Sequence, residues 1–295
     1  MRRHSLTKVL FVLPCVFAFA MVMLIPFFFG LFYSMTDWNG VSESIKFVGF
    51  VHFAKALDEP GFLYSFLITM GYTAINVVLV NAVGFALALL VTSNLRFRNF
   101  YRAGFFTPYL IGGIVLGYIW QFLFNSAVPA LGKVLGIESM QNSLLGRPDA
   151  VIWAMSFVNT WQYAGYIMLI FIAAIQAIPA SLMEAAKIDG AGYLRRVVRI
   201  LIPMMANAFT ISLFLTLTTS FKQYDMNFTL TRGGPATRFF EQPVKASQLL
   251  AMNIFDTAQA NQMAEAQAKA VILFVALVVV SLIQVSVNKR KEVEM

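Results

Sequence analysis

Charged residues are missing from six long stretches of this chain: 9–36, 60–95, 103–132, 150–183, 200–221 and 270–288. No other charge-free gap exceeds ten residues. An α-helix needs about 20 apolar residues to cross the hydrocarbon core of a bilayer, and the six stretches run from 19 to 36 residues. Membrane strands need only about ten residues, but they alternate apolar and polar side chains. Runs such as Phe11 to Phe32 and Val271 to Val280 do not alternate. The pattern therefore predicts an all-α integral membrane protein with six spans, near 9–33, 63–92, 104–124, 151–175, 203–221 and 268–287. These form one domain over 9–287, flanked by a short N-terminus (1–8) and a tail (288–295). The balance of 59% hydrophobic against 12% charged residues lies far from that of a soluble domain. It excludes a soluble enzyme, a disordered chain and a disulfide scaffold.

The net charge of +8 raises the question of nucleic acid, and its distribution answers it. Six spans put both termini and the loops near residues 96–102 and 176–202 on one side. That side carries thirteen bases against four acids, and the other carries nine bases against ten acids. A surplus confined to one side is the positive-inside signature of a cytoplasmic face, so both termini are expected in the cytoplasm and no nucleic-acid partner is expected. The first 30 residues resemble a signal peptide, but the apolar run is too long and lacks a small-x-small cleavage site, so a retained anchor is the better reading. Cys15 is the single cysteine, which allows no intrachain disulfide, and two histidines cannot build a metal cluster.

Between the spans, Asp37-Trp38-Asn39-Gly40 reads as a turn, and Phe53 to Asp58 as a short amphipathic helix ended by Pro60. Gly112, Gly113 and Gly117 leave room for close helix approach. Lys222 and Asp225, the only charges near a span end, are spaced to pair at i, i+3, the other reading being that they guard the outer mouth. The segment from Pro179 to Pro203 is more specific. Ser181 with Glu184 fits a capping box that starts a helix near Ser181. Gly190 and Gly192 interrupt that helix, and a second, Tyr193–Leu201, carries Arg195, Arg196 and Arg199. Pro203 suits the first turn of the next span. Two readings fit a helix-turn-helix of this kind: an interfacial loop whose arginines face lipid phosphates, or a docking element whose small residues leave a flat face for another protein.

Glu184-Ala-Ala-x-x-Asp189-Gly190-Ala191 followed by Ile200-x-x-Pro203 resembles the EAA loop of ABC importer permeases, with Val197 where an aromatic is usual. Leu13-Pro14, Ser34 to Asn39, Phe47 to Phe50, Phe105-Phe106-x-Pro108-Tyr109 and Arg232-Gly-Gly-Pro235 resemble carbohydrate permeases of the maltose and glycerol-3-phosphate type, most closely the first permease of the pair. The resemblance implies a type I importer bundle in a bacterial or archaeal cell membrane, with 176–202 as the cytoplasmic coupling loop. It implies a second permease, two ATPase subunits and an extracytoplasmic sugar-binding protein as partners, besides membrane lipid. It also implies that Glu184, Ala185, Ala186, Asp189, Gly190, Ala191, Ile200 and Pro203 serve ATPase coupling: Glu184 meeting a basic residue, Gly190 making the bend, and Asp189 holding the loop by accepting backbone hydrogen bonds. The chain has no G-x-x-x-x-G-K-[ST] phosphate loop, so ATP and Mg are expected on the partner ATPases, with no cofactor and no catalysis here.

A passage needs polar side chains facing the bundle interior. Asn159, Thr160 and Tyr163, with Tyr166, fall at helical spacing on span four, and Trp161 and Gln162 lie beside them. Thr216, Thr219, Ser220 and Gln223 do the same on span five. Amides and hydroxyls suit sugar hydroxyls, and few charges accompany them, which favours a neutral solute. The other reading of each residue is an interhelical hydrogen bond. In permeases of the resembling type the solute-contacting residues sit on these two spans, which singles out Asn159, Tyr163, Ser220 and Gln223 first, then Thr160, Gln162 and Thr219. A stand-alone ion-coupled sugar transporter is the alternative, but it would want carboxylates within the spans, and the six stretches hold none.

Overall fold

The computed structural model describes residues 2–93 and 95–289, and side chains from residue 10 to 288. The chain separates into two compact units, residues 1–59 with 253–275 and residues 60–252 with 276–295.

In the first unit a helix runs as α1 (Arg2–Phe19), a π turn (Ala20–Leu24) and α2 (Ile25–Tyr33). No residue in the most apolar window of its Leu10–Tyr33 part is fully buried within the chain, as expected of a helix wrapped in lipid. The turn after it forms as read: Asn39 Oδ1 accepts from the Val41 and Ser42 amides, and Gly40 takes φ +98°. Helix α3 (Val51–Asp58) follows, two residues longer than expected. The unit is completed by much of α14 (Leu250–Gln259) and the first half of α15 (Met263–Lys289). Within it, the Phe27 and Phe274 rings lie 5.0 Å apart and the Ala264 amide donates to the Trp38 carbonyl at 3.0 Å.

Helix α15 begins five residues before the expected start at 268 and so includes Glu265 and Lys269. The expectation of carboxylate-free spans is corrected here. Both side chains are buried, and Lys269 pairs with Glu265 one turn away and with Glu59, while Lys55 donates to Glu265. Thr257 accepts a further hydrogen bond from Lys269. Neutralised in this way, the charges do not stop the helix.

The second unit is built on α4 (Pro60–Thr92) packed along α8 (Val151–Ala177), with α12 (Ala206–Phe221) beside both. Their interior contains Val80, Ala88, Ile167, Met168 and Phe171, all essentially inaccessible. Gly84 sets the α4–α8 spacing: a Cβ there would lie 2.9 Å from Ile167 and 3.1 Å from the Ala164 carbonyl. Packing of this kind, rather than removal of apolar surface from water, holds helices together in lipid.

The third span departs from expectation. Helix α5 (Arg98–Phe106) ends in a 3₁₀ turn (Thr107–Leu110), and the long apolar helix begins at Gly113 instead of 104, running to Leu135 instead of 124. It comprises α6 (Gly113–Phe122), a π turn (Leu123–Ala127) and α7 (Val128–Leu135). Pro108 and the extended Gly112 break a run that charge counting alone treats as continuous. Gly165 of α8 takes the Phe105 backbone directly, since a Cβ would sit 1.8 Å from that carbonyl.

The fifth span is also broken. Helix α9 (Ala180–Ile188) leads to α10 (Tyr193–Arg196), a π turn (Val197–Leu201) and α11 (Ile202–Met204), and the direction then changes by 74° at Met205 before α12. By length and composition the described residues hold five helices able to cross a membrane, or six with this bent pair counted as one. The segment that follows is not all helical. After α13 (Asp225–Leu230), β1 (Ala236–Phe239) pairs antiparallel with β2 (Gln242–Lys245) through the two-residue turn Phe240-Glu241. The expected Lys222–Asp225 pair does not form: both side chains are exposed, and Asp225 instead opens α13, where its charge suits the helix dipole.

The three π turns share one cause. Each is followed at the second position by a proline, Pro26, Pro129 or Pro203. In each the residue before that proline donates to the carbonyl five residues back: Ile25 to Ala20, Val128 to Leu123, Ile202 to Val197. Proline has no N–H and its ring displaces the carbonyl four residues earlier, so the ladder widens by one residue there.

Candidate functional site

Two regions of the second unit contain the residues singled out from the sequence. The first is a cluster of amides and hydroxyls between α4, α8 and the end of α12. Asn159 lies at its centre, 2% exposed. Its Nδ2 donates to Asn76 Oδ1 at 2.8 Å, and its Oδ1 accepts from Gln223 Nε2 at 3.3 Å. Asn76 Nδ2 donates onward to the Ser156 hydroxyl at 3.1 Å and to the Tyr72 carbonyl at 2.8 Å. Asn81 reaches Thr216 Oγ1 at 3.2 Å, a second polar link between α4 and α12. A buried polar group without a partner costs about 1–3 kcal/mol, so these bonds fix the register of the three helices. The buried hydroxyls of Ser220 and Thr73 have no hydrogen-bond partner among the described residues, which leaves donor and acceptor capacity unspent in the same three helices.

The remaining sequence candidates separate. Tyr163 is half-buried, and its ring meets Tyr109 at 5.7 Å, while Tyr166 stacks on Tyr109 at 4.5 Å. Gln162 is buried and donates to the Ile111 carbonyl at 2.9 Å, so its amide anchors the break before α6. Thr219 back-bonds to the Leu215 carbonyl at 2.9 Å. Thr160 and Trp161 line an apolar trough instead of the amide cluster. Sequence reasoning missed Tyr72, Asn76 and Ser156. The signal for Asn76 and Asn81 was two amides in the longest uncharged stretch, where such groups need an interior partner.

The second region is the loop from 178 to 205. Helix α9 starts at Ala180 with Pro179 before it and no side-chain cap, so the Ser181–Glu184 capping box does not form. Proline supplies the turn into the helix by its own geometry, which leaves the Glu184 side chain exposed and without a hydrogen bond among the described residues. The helix ends in a Schellman turn: Gly190 donates to the Lys187 carbonyl at 3.2 Å and Ala191 to the Ala186 carbonyl at 2.9 Å, with Gly190 at φ +78°. The acceptors in this turn are the backbone carbonyls of Lys187 and Ala186 and not the expected Asp189 carboxylate; Asp189 is exposed, and its own amide donates to the Ala185 carbonyl at 2.9 Å. Ala185 is exposed, Ala186, Ala191 and Ile200 are half-buried, and Pro203 lies exposed at the bend. Apolar side chains face outward around the turn, Ile188 at 86% and Leu194 at 73% exposure. Val197 and Leu201 turn inward and join the core.

The family model described as "Binding-protein-dependent transport system inner membrane component" matches residues 80–293. The chain is 40% identical to the "Probable starch degradation products transport system permease protein AmyD" of Thermoanaerobacterium thermosulfurigenes, over 97% of this chain and 95% of that protein. It is 29% identical to the "Multiple sugar-binding transport system permease protein MsmF" of Streptococcus mutans, over 91% and 90% of the two. In fold it is similar to a chain of a bacterial ABC transporter involved in the import of the acidic polysaccharide alginate, with a TM-score of 0.81, 18% identity, and 98% and 96% of the chains covered.

Proposed function

This chain belongs to the family of binding-protein-dependent transport system inner membrane components, and from that premise we propose how it works as the permease subunit of an ATP-driven carbohydrate importer. It is a multi-pass membrane protein. The relatives named for starch degradation products and for multiple sugars support a neutral sugar or oligosaccharide as the solute. The cluster around Asn159 supports the same class, because it offers amides and hydroxyls and no charge. In this reading Asn159, Ser220, Gln223 and Tyr163, with Asn76, lie on the solute path.

The basic surplus on that side supports a cytoplasmic position for both termini and the 178–205 loop. The observation that carries the coupling role is the exposed, glycine-locked turn at 189–191 with Ile188 and Leu194 projecting from it. In this reading it inserts into a separate ATPase subunit, with Glu184 meeting a basic group there, and ATP and Mg reside on that partner. A second permease completes the pathway. An extracytoplasmic binding protein delivers the solute, as supported by the similar alginate transporter solved with its periplasmic protein.

Co-purification of a Glu184→Arg chain with its ATPase tests the docking role. The expected result is loss of most of the ATPase from the complex while the permease pair stays intact. Undiminished assembly and solute-stimulated hydrolysis would refute it.

A further inference from the structure

Asp225 follows the fifth span in sequence, yet it does not lie at the outer surface. Helix α12 ends at Phe221, and two residues later Gln223 already donates to Asn159. Asp225 comes next and opens α13. A Cβ on Gly113 would lie 3.0 Å from the Asp225 Cβ and 3.8 Å from its Oδ2, which puts the carboxylate beside the first residue of α6. That start is held level with Gln162 by the bond from Gln162 to the Ile111 carbonyl. The carboxylate is also within electrostatic range of the Tyr163 hydroxyl. Tyr163 lies twelve residues from the start of α8 and fourteen from its end, about 18 and 21 Å. The Asp225 charge therefore sits near the middle of the bilayer.

An ionised side chain at that depth faces the bundle interior or a water-filled cavity and marks a solute or ion path. The Asp225 side chain is exposed. Among the described residues its carboxylate takes part in no ion pair and caps neither α6 nor α13. Lys222, the nearest base in sequence, is exposed and does not pair with it. The N-terminus of α6 favours the negative charge through its dipole without occupying the oxygens. Those oxygens can accept about four hydrogen bonds. The polar groups beside them, on Tyr163, Gln223 and Asn159, carry no charge. Two hydroxyls on adjacent sugar carbons can donate to the two oxygens of one carboxylate, and such charge-assisted bonds are about twice as strong as neutral ones. The same charge repels an anionic solute.

We infer that Asp225 is a specificity-determining residue on the solute path: its carboxylate accepts hydrogen bonds from adjacent hydroxyls of a neutral sugar and turns acidic sugars away. The inference rests on the solute path proposed around Asn159. The competing use of an exposed carboxylate at this depth is an ion pair with a base of the second permease. Such a pair would cancel the field that Asp225 sets on the path, so the two uses differ in a measurable way.

The test uses the full chain in its assembled complex, reconstituted in proteoliposomes, with Cys15→Ser and with Gln223→Cys as the reporter. Modification of this chain by a cationic and by an anionic methanethiosulfonate is followed by mass. The cation-to-anion rate ratio is expected to be about fivefold higher with Asp225 in place than in Asp225→Asn. Asp225→Glu is expected to keep most of that preference, and Asp225→Ser reads the loss independently if the asparagine variant fails to assemble. A reporter that reacts with both reagents at a ratio unchanged by removing the carboxylate overturns the inference and leaves the solute path standing. A reporter that reacts with neither overturns the path as well. Uptake of maltotriose, used as a neutral probe, is expected to fall about tenfold in Asp225→Asn while the permease pair stays intact. Unchanged uptake in that variant, or separation of the two permeases, overturns the inference, the latter by revealing an interface ion pair.

Discussion

Ser220 and Asn159 separate the two roles that a buried polar residue can have in this bundle. Asn159 is bonded on both sides, to Asn76 and to Gln223. Replacing it with leucine leaves the buried Asn76 amide and the half-buried Gln223 amide short of a partner, and a buried group in that state costs about 1–3 kcal/mol. The Ser220 hydroxyl is buried with no partner among the described residues, so the fold loses no hydrogen bond when it is removed. Ser220→Ala is therefore expected to leave the thermal midpoint of the purified complex within a degree or two. If the hydroxyl meets solute, the KM for uptake rises by up to about tenfold, the equivalent of one hydrogen bond. Unchanged uptake at unchanged stability would remove Ser220 from the solute path. Asn159→Leu is expected to lower stability and uptake together.

At the scale of elements, the loop between α8 and α12 is shaped by one glycine, Gly190, and two prolines, Pro179 and Pro203. A Cβ on Gly190 would meet no atom within 4 Å, so a substitution there has no steric cost. Its cost is the left-handed backbone, about 1–2 kcal/mol for most L-residues and less for asparagine. Gly190→Ala is expected to weaken coupling, seen as several-fold lower solute-stimulated ATP hydrolysis by the assembled complex, and Gly190→Asn to restore most of it. Equal activity in all three would show that the turn's conformation does not matter. The prolines were visible in the sequence, but the π turns before them were not. Pro14 lies inside α1 without one, so a proline permits the wider turn without dictating it. The β1–β2 hairpin was illegible for a related reason: Phe240 and Glu241 both take positive φ, a geometry usually signalled by asparagine or glycine.

At the scale of the whole molecule, the prediction concerns which face lies where. Cys15 is the only cysteine, so a Cys15→Ser chain accepts single reporters. Phe240→Cys, at a site 75% exposed, and Ile188→Cys, at a site 86% exposed, lie on opposite sides in the proposed topology. In intact cells a membrane-impermeant maleimide is expected to label the first and to reach the second only after permeabilisation. The reverse pattern would place the coupling loop outside and end the proposed mechanism.

Hydropathy, charge and one motif were enough to identify a helical membrane protein and its family, and to find most of the long apolar helices approximately, because a bilayer tolerates no unpaired backbone and few unpaired charges. Those penalties act on each residue separately, so they are written into composition and order. Tertiary structure alone decided where α15 begins, because Glu265 and Lys269 enter an apolar helix only once Lys55 and Glu59 neutralise them. It likewise decided that Asn159 joins Asn76 whereas its neighbour Thr160 faces an apolar trough. Partners distant in the chain settle such questions, and a linear pattern records a residue's own cost without recording who will meet it.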